Sequence, residues 1–355
     1  LLRWLVDEAV LHDWALGSPA WMLLVALALS IGVLSKGSDW LIDGVVALAE
    51  RTGLPKVVIG ATIVSLGTTT PEAFVSVMAA FMGNPGLALG NGVGSIIADT
   101  GLIFGITCLL TTVPMQRYIL NRTGWVQVGS ATLLVVIALF LLWYSNGVPV
   151  LGRVFGVFFL ILLAAYLYAT YLWAKSEDSA IKDHGHVETN ETSLGLAQAG
   201  LMIGGGLLAV IIGAKVLIPC AAVLAGRLGV SEDVIAATMV AFGTSLPELV
   251  TAIAAVRKGH PEITVGNIVG ADVLNCLFVI GAAATARPLA IPPNFYYFHF
   301  PAMMIILWSF RTFISMNRDG TFKRWQGVWL LTIYGLYIIL QFGLKLVALE
   351  IGFNY

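Results

Sequence analysis

The chain of 355 residues is 58% hydrophobic and only 11% charged, with a mean hydropathy of +0.90. Soluble domains carry about 25% charged residues, so an ordinary soluble fold is excluded and an all-α polytopic membrane protein is expected. A formal net charge of −1 gives no basis for a nucleic-acid partner, and three cysteines in apolar runs (Cys108, Cys220, Cys276) imply no disulfide framework.

A membrane span needs about 20 apolar residues, more if tilted. Ten candidates follow in chain order. The first runs from Ala20 to Ala49 and carries Lys36, Asp39 and Asp43. Leu54–Met82, Leu87–Thr112, Gly124–Tyr144 and Val148–Ala174 complete the first half. A polar stretch, residues 175–193, divides it from the second. Then come Gly195–Gly226, rich in glycine, Ser231–Val256, Ile263–Ala286, Phe295–Phe313 and Trp325–Leu349. No charged segment with a small-residue cleavage site precedes the first apolar run. The chain begins at Leu1 rather than Met, so a natural start further upstream is expected.

Lysine and arginine in short loops set orientation. With both termini outside, twelve of the 19 basic residues fall on the inner side and five on the outer, while Lys36 and Lys215 lie within spans. A multi-pass protein of the cell (plasma or inner) membrane is expected, with residues 175–193 in the cytoplasm. His184 and His186 in that segment are expected to be solvated rather than to bind a metal.

The most informative feature is an internal repeat. Residues 60–105 (GATIVSLGTTTPEAFVSVMAAFMGNPGLALGNGVGSIIADTGLIFG) align without a gap to residues 236–281, with 15 of 46 positions identical. Among them are Thr68 with Thr244, Glu72 with Glu248, and Asn91 with Asn267, polar residues inside otherwise apolar segments. Five spans per half is an odd number, so the second half is expected to enter the membrane from the opposite face. Residues 1–174 form the first repeat and 194–355 the second. Inverted repeats with helices broken near the midplane characterise many secondary transporters.

The repeat is rich in oxygen. Gly67 loosens its helix, and Pro71 lacks an N–H and clashes one turn back, so a kink freeing carbonyls around Ser65 is expected. Such groups are tolerated in hydrocarbon only where protein or a water-filled cavity meets them. Thr68, Thr69 and Glu72 add hydroxyl and carboxylate oxygens, and Ala241, Thr244, Ser245, Pro247 and Glu248 repeat the pattern. The partner helices bring Asn91, Ser95 and Asp99 at four-residue spacing, matched by Asn267, Ala271 and Asn275. Carboxylates at bilayer depth mark functional sites. Glu72, Asp99 and Glu248 together must either hold cations or carry protons, which makes exchange of one occupant for another natural. Oxygen ligation without a His or Cys pair points to hard cations.

GTTTPE and GTSLPE, each followed by GN-x-x-G, resemble the two alpha repeats of the sodium/calcium exchanger family, within the cation/calcium exchanger superfamily, in its prokaryotic form. The resemblance implies a ten-helix fold in which eight helices surround the ion sites while the first and sixth lie across them and slide. Carried over, it implies calcium between Glu72 and Glu248, with Thr68 and Thr244 completing its shell. Sodium would share these carboxylates and use flanking sites, one from the Ser65 carbonyl, Thr69 and Ser95, the other from the Ala241 carbonyl and Ser245. Asp99 and Asn275 would fill the central position. The family usually reads Gly-Ser-Asn where this chain has Gly94-Ser95-Ile96 and Gly270-Ala271-Asp272. Ala271 therefore removes a hydroxyl from one flanking site, and Asp272 either replaces it or faces a cavity.

The reading is a sodium/calcium antiporter with no cofactor and no obligatory protein partner, its transported ions Na+ and Ca2+, embedded in lipid. The alternative is a proton/calcium exchanger using the same carboxylates; potassium co-transport and a passive channel are further variants. No nucleophile–base pair, HExxH or phosphate loop suggests an enzyme. Asp39 and Lys215, at equivalent positions, are expected to pair across helices or snorkel, and Asp43 to be interfacial.

Overall fold

The computed structural model describes residues 8–145, 147–182, 195–228, 245–317 and 319–351. Helix α1 spans Glu8–Gly17 and α2 spans Ala20–Thr52, ending where Gly53 adopts left-handed backbone at φ 69°. Then follow α3 (Lys56–Phe81), α4 (Pro85–Leu110), α5 (Arg117–Tyr144) and α6 (Arg153–Lys182). The second half contributes α7 (Leu196–Arg227), α8 (Leu246–Arg257), α9 (Pro261–Ala286), α10 (Phe295–Met316) and α11 (Arg324–Ile351). Among the described residues eight helices are long and apolar enough to cross a membrane: α2 to α7, α9 and α10. Helix α1 lies ahead of the first expected span, and α6 runs to Lys182, into the stretch read from sequence as a polar loop. The remainder of that stretch, with His184 and His186, and most of the span expected from Ser231 lie outside the described residues.

Local chemistry explains the boundaries. Pro85 and Pro261 occupy first-turn positions, where their missing N–H is no loss. Asn84 caps α4 by accepting the Leu87 N–H at 3.1 Å. Four helical segments depart from α geometry into π-turns: Gly60–Val64 in α3, Asp99–Ile103 in α4, Asn275–Val279 in α9 and Phe295–His299 leading into α10. π-Bulges are rare and concentrate at functional sites. Two of these begin at positions 176 apart, Asp99 and Asn275, so the spacing of the sequence repeat recurs in backbone geometry.

Burial separates a centre from a periphery. In their most apolar windows, 83% of α9, 72% of α4 and 61% of α3 are buried by other protein, against 22% of α2 and 28% of α6. The centre packs through glycine. Gly266 and Gly270, four apart on α9, let α3 approach so closely that a methyl at Gly266 would stand 2.1 Å from the Val57 carbonyl oxygen, and one at Gly270 would stand 2.4 Å from that of Ala61. Small-xxx-small spacing of this kind serves close helix contact in membranes. At the periphery α2 and α7 run against each other, again on glycine: a methyl at Gly206 would lie 2.6 Å from the Gly37 carbonyl oxygen. This pair meets the centre through Leu207, whose side chain covers Gly67 of α3.

Two short strand pairs tie the ends together. β1 (Val113–Pro114), after α4, pairs antiparallel with β4 (Thr321–Phe322), before α11. β2 (Val150–Leu151), after α5, pairs with β3 (Leu289–Ala290), after α9. Each end has its own ties. On the β2–β3 end, an Arg287 guanidinium nitrogen donates to the Phe81 carbonyl at 2.8 Å. At another helix end, the Lys258 ammonium sits 2.6 Å from Asp43 Oδ1.

Candidate functional site

The helix carrying Glu72 departs from the expected form. A continuous α-helix runs Ser65–Phe81 with Pro71 inside it, and the irregularity falls one turn earlier, in the π-turn Gly60–Val64. Pro71 leaves the Gly67 carbonyl without its usual donor, within a helix that continues to Phe81. The Ser65 carbonyl is met locally, by the Thr68 hydroxyl at 3.3 Å.

Around this helix the structure gathers most of the residues singled out from the sequence. Ser65, Thr68, Thr69, Glu72, Asn91, Ser95, Asp99, Ser245, Glu248, Asn267 and Asn275 are all buried, with Glu72, Asp99 and Glu248 each only 1% exposed. Asn91 donates to the Glu72 carbonyl at 3.1 Å and to Ser76 Oγ at 2.9 Å, fixing α4 against α3. Thr68 Oγ1 lies 3.4 Å from Asn267 Oδ1 of α9 and also faces the Glu248 carboxylate. Asn275 Nδ2 lies 3.5 Å from Asp99 Oδ2. Glu72 is within electrostatic reach of Glu248 and Asp99, and Asp99 within reach of Glu248 and Asp272. Thr244 and Ala241 lie outside the described residues.

Most of the unpartnered buried atoms of this cluster are oxygens, beside one bare amide nitrogen, Asn267 Nδ2. Thr69 Oγ1, Glu72 Oε2, Asp99 Oδ1, Ser245 Oγ, Glu248 Oε2, Asp272 Oδ1 and Asn275 Oδ1 are buried without a protein partner. Buried polar atoms are otherwise almost always paired. Among the described residues no lysine or arginine forms an ion pair with Glu72, Asp99, Glu248 or Asp272. A charge at bilayer depth costs about 3 kcal/mol on insertion scales and more on others. Four unneutralised carboxylates would consume most of a typical stability of about 5–15 kcal/mol. Among the described residues no three His, Cys, Asp or Glu side chains converge on one metal position. Hydroxyl, amide and carbonyl oxygens stand beside the carboxylates, a donor set that hard cations readily take.

One part of the cluster went unread in the sequence. Asp272 Oδ2 accepts from Thr100 Oγ1 and, at 2.6 Å, from Gln127 Nε2 of α5. Gln127 is a lone amide in the apolar run of its span, and that isolation was the available signal.

The fold and this site define a class: a polytopic helical membrane protein with a buried, unneutralised acidic centre between two repeated segments. Comparison with known proteins narrows the class. The profile of the family described as Sodium/calcium exchanger protein matches residues 22–172 and 199–343, and the chain belongs to that family. It is 32% identical to the sodium/calcium exchanger MaX1 of Methanosarcina acetivorans over 342 residues, covering 89% of this chain and 97% of that one. It is also 32% identical to the inner membrane protein YrbG of Escherichia coli over 290 residues, 80% of this chain and 87% of that one. Among solved structures, the sodium-calcium exchanger NCX_Mj soaked with 2.5 mM Na+ and 10 mM Sr2+ superposes with a TM-score of 0.75 at 26% identity, covering 90% of this chain and 99% of that one. The relatives whose names state an activity are exchangers or antiporters, and the protein is not an enzyme.

Proposed function

We propose that the protein is a secondary antiporter that exchanges sodium for calcium by alternating access at one shared carboxylate site. The observation that carries this reading is the pairing of Glu72 with Glu248, equivalent in the repeat, equally buried at 1% exposure, and each with an unpartnered Oε2. Calcium neutralises both at once; sodium ions replace it using the same oxygens together with Thr69, Ser245, Ser95 and the carbonyls of Ser65 and Ala241. Thr68 and Thr244 complete the calcium shell, and Asp99 with Asn275 form the central position. Binding of the two ions is mutually exclusive because neither can be accommodated while the other holds the carboxylates.

Ten spans arranged as two inverted five-helix repeats, residues 1–174 and 194–355, give the site its two-sidedness. The strand pairings support this arrangement. β1 and β2 lie at opposite ends of the 28-residue helix α5, about 42 Å long at 1.5 Å per residue. β3 is the repeat equivalent of β1 yet pairs with β2, as it must if the halves run in opposite directions. Both termini face outward in this topology, with the 175–193 segment inside. The α2–α7 pair, joined on glycine and covering Gly67 with Leu207, is the element that moves to open one side or the other.

Reconstituted vesicles test the reading. Labelled calcium uptake driven by an outward sodium gradient, without a pH gradient, is the expected result. Uptake under a pH gradient alone would overturn it in favour of proton/calcium exchange.

A further inference from the structure

Asp272 is a fourth buried carboxylate, 1% exposed, in the acidic centre. Both of its donors, Thr100 Oγ1 and Gln127 Nε2, converge on Oδ2, and Oδ1 is left bare. Gln127, itself 1% exposed, spends its amide nitrogen on this carboxylate, so its Oε1 stands one amide width away, also bare. Asn275, one helical turn beyond Asp272 on α9, has a third bare oxygen, Oδ1. Neutral donors soften a buried charge without cancelling it, and bare carboxylate and amide oxygens on neighbouring buried side chains are the ligand types a hard cation takes. The repeat supplies the contrast. Where the first half has the hydroxyl of Ser95, the second has Ala271, which has none, and the next residue brings a charge in place of Ile96.

We propose that Asp272, Gln127 and Thr100 frame an additional monovalent-cation position beside Asp99 and Asn275, taking one sodium ion more than Glu72, Glu248 and Asp99 alone require. This position rests on the exchange reading of the same centre. Three elements build it: Thr100 on the π-turn of α4, Gln127 on α5 and Asp272 on α9. A single extra carboxylate needs a single extra positive charge, which is the argument for an alkali cation over a divalent one. The ion ratio of exchange changes accordingly.

The test compares wild-type protein with Asp272→Asn and Gln127→Met in proteoliposomes, reading sodium-dependent calcium flux, its reversal potential and sodium affinity. Wild-type exchange establishes the underlying function; its absence would defeat that reading rather than this one. With exchange present, Asp272→Asn is expected to lower the sodium Hill coefficient by about one and to shift the reversal potential toward fewer sodium ions per calcium. Gln127→Met, which keeps length and loses the oxygen, is expected to weaken sodium about tenfold, a loss of about 1.4 kcal/mol, with a smaller change for calcium. An unchanged sodium count in Asp272→Asn overturns the proposal, as does a count unchanged while pH dependence alone shifts, which would assign a proton to Asp272. If Asp272→Asn fails to fold, Gln127→Met decides: equal losses for sodium and calcium would make the network a structural clamp only.

Discussion

Asn275 and Asp99 occupy equivalent positions in the two repeats and face each other, with Asn275 Nδ2 3.5 Å from Asp99 Oδ2. Equivalent positions that meet lie beside whatever axis relates the two halves. Each also opens a π-turn, so the i→i+5 bonds from Phe104 to the Asp99 carbonyl and from Ile280 to the Asn275 carbonyl mirror one another. At this pair the two halves differ only in charge, which resides on Asp99 of the first half.

That placement makes the pair exchangeable. A contact of 3.5 Å is at the limit of a hydrogen bond, so what matters is where the charge sits rather than the bond. Asp99→Asn is expected to weaken sodium dependence at least about tenfold. The double variant Asp99→Asn with Asn275→Asp, which moves the charge across the axis, should recover most of the loss. Sodium-dependent calcium flux in vesicles reads this; a double variant no better than the single would place the two residues in separate sites.

Glu72→Gln and Glu248→Gln should each abolish exchange while the protein keeps its monodisperse elution. Each substitution removes one of the two charges that calcium neutralises and keeps side-chain volume. Because among the described residues neither carboxylate has a cationic side-chain partner, neutralising it relieves buried charge, and thermal stability in ion-free buffer is expected to rise. A fall in stability together with retained exchange would move the site elsewhere.

The sequence made the centre of this protein legible because charge inside apolar text is conspicuous. Glu72, Glu248 and Asp99 were found that way, and the repeat located their neighbours. The backbone was harder. Pro71 signals a local irregularity, and the helix from Ser65 to Phe81 runs on through it; a π-turn one turn earlier, at Gly60–Val64, had no such signal and lies where α9 crosses, a methyl at Gly60 standing 2.6 Å from the Ile263 carbonyl oxygen. Helix crossings are tertiary facts with no local signature. Gln127 was missed for the complementary reason, since its meaning comes only from Asp272, 145 positions away.

Orientation can be read with added thiols, because Cys108, Cys220 and Cys276 are all buried and should not react with aqueous maleimide. Gly147→Cys, near the β2–β3 end, is expected to label in intact cells with a membrane-impermeant reagent. Asp319→Cys, near the β1–β4 end, should label only after the membrane is opened. The opposite pattern would invert the topology argued from lysine and arginine.

The glycines of the α3–α9 crossing give the last prediction. Gly270→Ala would drive its methyl to 2.4 Å from the Ala61 carbonyl oxygen and 2.6 Å from Ser65 Oγ. Neither helix backbone can yield without displacing the Ser65–Glu72 turn, so the substitution acts on fold and site together. Overpacking of this kind costs about 1–3 kcal/mol, and a melting temperature several degrees lower is expected, with exchange reduced more than stability because the Ser65 carbonyl moves. Gly335→Ala in α11, where an added methyl meets nothing within 4 Å, is the control and should leave both intact. Equal tolerance of the two substitutions would mean that the crossing is looser than its geometry requires, and the close approach of α3 to α9 would no longer explain how the site is held.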